Sequence, residues 1–150
     1  MILLDTNVLS ELMRAKPAPQ VIEWVDAQPA SELAISAITV AEILYGIGRM
    51  LDGKRKQGLL DIASAMFEED FAGNILPFDA DAAVHYAEIA AATEAKGRIV
   101  DMADAQIAAI GRLHDAVIAT RTTRHFEPLG VALVDPWRGG GNRISSVDRM

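Results

Sequence analysis

Three acidic residues stand where a chain could use them for chemistry. Asp5 ends the apolar run Met1-Ile2-Leu3-Leu4. Glu42 and Asp104 also follow short strand-like runs, each three residues into a helix start, after Thr39 and Asp101. In a parallel α/β sheet, residues in these places gather at the carboxyl edge of the strands, where ligands bind. The donors are all oxygen, and the chain has no cysteine. That set suits a hard cation such as Mg²⁺ or Mn²⁺. Carboxylates brought together repel one another, and a divalent cation resolves the repulsion. Such a cluster, with no obvious nucleophile beside it, points to metal-assisted hydrolysis of a phosphate ester.

Each acid taken singly also has a purely structural reading, and the residues alone leave both readings open. Thr39-Val40-Ala41-Glu42 fits a capping box, with Thr39 at the cap and Glu42 reaching back. Asp101-Met102-Ala103-Asp104 fits an N-cap followed by a first-turn acid. Asp5 could begin a turn. An aspartyl-phosphate phosphatase would need a second acid two residues after Asp5, and that residue is Asn7. His85, His114 and His125 show no ligand spacing. His85 is expected on a helix surface and His114 at a helix C-terminus. Gly139-Gly140-Gly141 does not lie between a strand and a helix, so it is no phosphate loop.

The elements that would position the acids follow from periodicity and punctuation. Strands are predicted at Ile2–Leu4, Leu33–Ile35, Ile75–Phe78, Ala116–Thr120 and Val131–Val134. Helices are predicted at Val8–Arg14, Pro19–Ala27, Thr39–Leu51, Lys54–Phe71, Ala80–Lys96 and Asp101–His114. This alternation predicts an α/β fold: one domain, with a mostly parallel central sheet of about five strands flanked by helices. The domain is expected to span 1–138, and 139–150 to be a flexible tail. Trp24, Met50, Leu51 and Met66 are core by default, and the alternative is that some of them line a groove for a second copy or a partner's helix.

Length and composition set outer bounds. A chain of 150 residues is most simply one domain. The N-terminus lacks a basic n-region, and Asp5 interrupts its apolar run, so it does not read as a signal peptide. No apolar stretch approaches the roughly 20 residues of a membrane span. The absence of cysteine fits a reducing cytoplasm. A net charge of −7 argues against broad nonspecific binding to nucleic acid. It leaves room for a nucleic-acid enzyme, because the acids of a metal site are part of that charge. Basic residues do cluster, in Lys54-Arg55-Lys56 and in Arg121 with Arg124.

Five segments in order resemble the PIN domain, specifically the VapC toxins and their FitB-like branch. They are Ile2-Leu3-Leu4-Asp5-Thr6-Asn7, Ile38-Thr39-Val40-Ala41-Glu42-Ile43-Leu44-Tyr45-Gly46 and Asp104-Ala105-Gln106-Ile107-Ala108-Ala109. Ala119-Thr120-Arg121 running to Phe126-Glu127, and Leu133-Val134-Asp135-Pro136-Trp137, complete the match. The resemblance covers about residues 1–138.

The resemblance implies a Mg²⁺- or Mn²⁺-dependent endoribonuclease acting on RNA as the toxin of a toxin–antitoxin pair. It implies Asp5, Glu42 and Asp104 as catalytic acids and metal ligands, with Thr6 and Thr39 in support. It further implies a cytoplasmic homodimer held in check by a small DNA-binding antitoxin, whose C-terminal segment lies over the active-site groove. Arg121 and Arg124 are candidate phosphate contacts, and solvated loop charge is their plain alternative. After Thr120-Arg121 the family usually has Asp or Asn, whereas this chain has Thr122. A hydroxyl is a poorer ligand than a carboxylate. The runner-up reading is therefore a PIN-fold binding protein with little activity, serving an antitoxin repressor complex.

Overall fold

Leu3 and Leu4 are both fully buried, yet they belong to different cores. Successive side chains of a strand point to opposite faces. A strand covered on both sides must therefore be apolar throughout, as Ile2–Leu4 is. This segment is β1 in the computed structural model, which describes residues 1–138 and the backbone of 143–145.

The same alternation repeats in β2 (Leu33–Ser36), β4 (Val117–Ala119) and β5 (Ala132–Val134). Ala34, Ile118 and Leu133 join the core of Leu3, while Leu33, Ile35, Ala119 and Val134 join that of Leu4. With β3 (Ile75–Leu76) and β6 (Arg143–Ser145), the strands form one sheet of order β3-β2-β1-β4-β5-β6. β1 to β5 are parallel, as expected, and β6 runs antiparallel on the β5 edge. Arg143–Ser145, expected within a flexible tail, thus pairs as a strand. The rest of that tail, 139–142 and 146–150, lies outside the described residues.

Helices cover both faces. α1 (Thr6–Leu12), α2 (Pro19–Asp26), α3 (Ala37–Gly48) and α4 (Lys54–Ala65) pack on the Leu4 side. α5 (Ala80–Ala95), α6 (Met102–Leu113) and the short α7 (Thr123–Phe126) pack on the Leu3 side. Gly111 lets α6 lie close to the sheet: a Cβ there would stand 3.1 Å from Ile118 Cδ1.

Several boundaries differ from the periodicity reading. The helix expected over Lys54–Phe71 is α4 followed by a π-helical turn, Met66–Asp70. Lys56 turns back from the start of α4 to Asp52 Oδ1 (3.0 Å) and to the Gly48 carbonyl (3.3 Å) at the end of α3. α7 was not expected. Trp24 is core, but Leu51 is 93% exposed. His85 is half-buried rather than on the surface, and its Nδ1 is buried without a hydrogen-bond partner. His114 caps the C-terminus of α6. Among the described residues no helix is long and apolar enough to cross a membrane.

From β1 the chain moves out through β2 and β3 on one side, then crosses to β4 and β5 on the other. The strand order reverses between β1 and β4. A crevice must open there, beyond the carboxyl ends of these two strands.

Candidate active site

Asp5 and Thr120 are the residues that follow β1 and β4, so the reversal places them side by side. The Asp5 N–H continues the sheet by bonding the Ala119 carbonyl at 2.9 Å. Its side chain caps α1: Oδ1 accepts from the Thr6 N–H at 2.8 Å. Oδ2 accepts from Thr120 Oγ1, also at 2.8 Å. Burial raises the Asp5 carboxyl above its ordinary value; the Thr120 and Thr6 hydrogen bonds oppose that rise, and the Glu42 charge adds to it.

Glu42 reaches the same place from α3. Its Oε1 accepts from Thr6 Oγ1 at 2.7 Å, and Thr6 Oγ1 also lies 3.0 Å from Thr39 Oγ1. The capping box expected at Thr39–Glu42 is not formed. Ser36 is the cap of α3, accepting from the Thr39 N–H at 3.0 Å. The helix therefore starts earlier than expected. Thr39 is fully buried in its first turn, and Glu42 is freed to meet Thr6. Thr6 thus bonds Glu42 directly, while Thr39 bonds the hydroxyls of Thr6 and Ser36 and no acid.

Asp104 enters from the first turn of α6. Asp101 is the N-cap, as expected, its Oδ1 accepting from the Asp104 N–H at 2.9 Å. Partial burial, then the charge of Asp101 and that of Asp5, push the Asp104 carboxyl up to about 6 from 3.8; Glu42 adds to the rise and His125 opposes it. His125 Nδ1 stands 3.8 Å from Asp104 Oδ2. No spacing in the sequence linked His125 to the acids, because α7 carries it there through tertiary packing.

Asn7 stitches the two sides of the crevice together. Its Oδ1 accepts from the Arg121 N–H at 3.3 Å. Its Nδ2 donates to Thr120 Oγ1 at 3.3 Å and to Thr122 Oγ1 at 3.4 Å. Thr122 lines the crevice. Arg121 also faces it, with Cζ 5.1 Å from the centroid of the Trp137 ring. Arg124 is exposed on α7 and does not line the crevice.

The result is one open cleft of about 480 Å³, lined by Asp5, Thr6, Asn7, Ser10, Glu11, Arg14, Glu42, Asp104, Arg121, Thr122 and Trp137. Glu11 is buried in its wall and held below the usual carboxylate range, chiefly by the Ala18 N–H and then by Arg14. Thr6, Ser10, Arg14 and Glu42 also line an adjoining groove of about 920 Å³ between α1, α3 and α4. Its floor is apolar (Met13, Ile43, Ile47, Met50) and its rim basic (Arg14, Lys16, Lys54, Arg55).

The lining fits a hard cation in its donor chemistry, with carboxylate and hydroxyl oxygen and no sulfur. Among the described residues, no three Asp, Glu or His side chains stand close enough to form a closed ligand set. That is compatible with Mg²⁺, which keeps several waters and takes only one or two carboxylates directly.

The geometry agrees with comparisons to known proteins. The PIN domain family matches residues 2–128. VapC ribonuclease Y4jK of Sinorhizobium fredii is 42% identical over 91% of this chain and 98% of its own length. Toxin FitB of Neisseria gonorrhoeae is 41% identical, over 91% of this chain and 99% of its own. The solved structure of FitAB bound to an IR36 DNA fragment superposes with a TM-score of 0.85 at 41% identity, covering 91% of this chain and 96% of that one. With a matching domain and matching relatives along almost its whole described length, this chain belongs to the PIN domain family, among the VapC and FitB toxins.

Proposed function

We propose that this chain is a Mg²⁺- or Mn²⁺-dependent endoribonuclease, the toxin of a toxin–antitoxin pair. The carrying observation is the meeting of Asp5, Glu42 and Asp104 in one cleft, where burial first, and then the charges of Asp101, Asp5 and Glu42, lift the Asp104 carboxyl. Asp5 and Asp104 would hold the cation, with Glu42 in support. When bound, the cation supplies an activated water and stabilises charge developing on an RNA phosphodiester.

The chain's own groups supply the positioning. Thr120 and the Thr6 N–H fix both oxygens of Asp5. The Thr6 hydroxyl holds Glu42. Arg121 brings positive charge to the cleft for an RNA phosphate, and Arg124 serves a phosphate further out. Relatives named as a ribonuclease and a toxin support this reading. FitAB, solved on DNA, supports a DNA-binding antitoxin as partner. The basic-rimmed groove beside Glu42 seats the antitoxin's C-terminal segment. A homodimer completes the assembly.

The test is RNA cleavage by antitoxin-free protein, with Mg²⁺ or with EDTA. Cleavage only with Mg²⁺ is expected. Intact RNA under both conditions would instead favour the binding-protein reading. Thr122, a hydroxyl facing the site where the family usually has Asp or Asn, is the observation on its side.

A further inference from the structure

Arg121 follows β4 and Trp137 follows β5, and the two meet at the wall of the cleft. Trp137 is half-buried and packs against the Leu4 core, so its ring is held from behind. Its N–H bonds Asp135 Oδ1 at 2.9 Å, which fixes the turn that carries it. Arg121 is exposed, and its backbone N–H is bound to Asn7. The buried Glu11 carboxylate in the same wall attracts its charge. Arg121 Cζ thus lies over the indole, 5.1 Å from its centroid, while the exposed side chain lines the cleft that holds the three acids.

We propose that the Arg121 guanidinium, seated over Trp137 at the wall of the cleft, is a stacking platform for one unpaired base of the substrate RNA. This rests on the ribonuclease reading and adds a base-binding subsite to it. Unstacked bases of single-stranded RNA pack on aromatic rings and on arginine planes. The edge of the same guanidinium stays free to donate to a phosphate, so stacking and phosphate contact are compatible.

Lysine separates this from a charge-only role, since it keeps the charge and loses the plane. Binding is measured by fluorescence anisotropy in EDTA, so that no strand is cut. The probes are a mixed-sequence single-stranded RNA and an abasic ribose-phosphate strand of equal length. We expect Arg121→Lys to weaken binding of the base-bearing strand about tenfold more than that of the abasic strand, whose phosphate contact the lysine charge partly keeps. Trp137→Ala should give the same selective loss, and Trp137→Phe should largely restore it. Binding of both strands by Arg121→Lys at wild-type strength overturns the platform, as does an equal loss on both, or no RNA binding by the wild type. Mg²⁺-dependent cleavage, measured alongside, reports on the underlying reading. Cleavage with base-blind binding overturns the platform alone. Base-selective binding without cleavage supports the platform and overturns the nuclease.

Discussion

Thr120 Oγ1 donates to Asp5 Oδ2 across 2.8 Å, joining the carboxyl ends of β4 and β1 at the point where the strand order reverses. Both residues are buried. The bond aims Asp5 and also helps it stay ionised against the cost of burial.

Thr120→Val keeps the shape and removes the donor. One oxygen of a buried carboxylate is then unpaired, which costs about 1–3 kcal/mol. Thermal unfolding should show that loss, and Mg²⁺ affinity should fall because Asp5 is harder to ionise. An unchanged melting temperature together with unchanged affinity would mean the bond matters to neither.

The raised Asp104 carboxyl gives a pH dependence with a definite sign. Folded, it titrates near 6; its ordinary value is 3.8. Between those values the folded chain binds more protons than the unfolded chain. The Asp104 contribution is therefore fully present below 3.8 and is lost as pH rises through about 6. Metal-free wild type should lose stability across that window relative to Asp104→Asn. Saturating Mg²⁺ should offset the loss, since the cation favours the ionised form. A difference between the two proteins that stays flat with pH would contradict the assignment.

Asp101 and Asp104 lie on one helix start but have separate roles. Asp101→Ala removes the cap of α6 and should cost about 0.5–2 kcal/mol while Mg²⁺ binding persists. Asp104→Ala should chiefly weaken Mg²⁺ binding. Calorimetric titration and thermal unfolding of both variants check this, and the reverse order would exchange their roles.

The strands were legible because a doubly covered strand must be apolar at every position, as in Ile2-Leu3-Leu4. That pattern also placed Asp5 at a strand end. Asp101 was legible as a cap because its partner is three residues away. Glu42 lines the cleft, but its partner is the Thr6 hydroxyl and not the Thr39 N–H of the expected capping box. Ser36 and Thr39 are both good caps, and sequence alone does not say which one the helix uses. Thr120 and His125 meet Asp5 and Asp104 only through tertiary packing. Their contacts carry no sequence spacing. β6 was missed because three residues after a glycine run offer too short a pattern.

Thr122 shares hydrogen bonds with Asn7 and Thr120 at the cleft wall. Thr122→Asp adds a carboxylate to a hard-cation site and should raise cleavage at low Mg²⁺. It should also destabilise the metal-free protein, because like charges are added to a cluster that already lifts Asp104. Cleavage against Mg²⁺ concentration, with melting temperatures with and without metal, reads both effects. If neither moves, Thr122 stands outside the cation's reach.

The most direct measurement is RNA cleavage against Mg²⁺ concentration for wild type and Asp5→Asn side by side. Asparagine still caps α1 and removes a buried charge whose carboxyl the fold already raises. Its melting temperature without metal should therefore equal or exceed that of wild type. The account predicts saturable Mg²⁺-dependent cleavage by wild type and none by the folded Asp5→Asn protein. Cleavage by Asp5→Asn near the wild-type rate, or cleavage by wild type in EDTA, would contradict it.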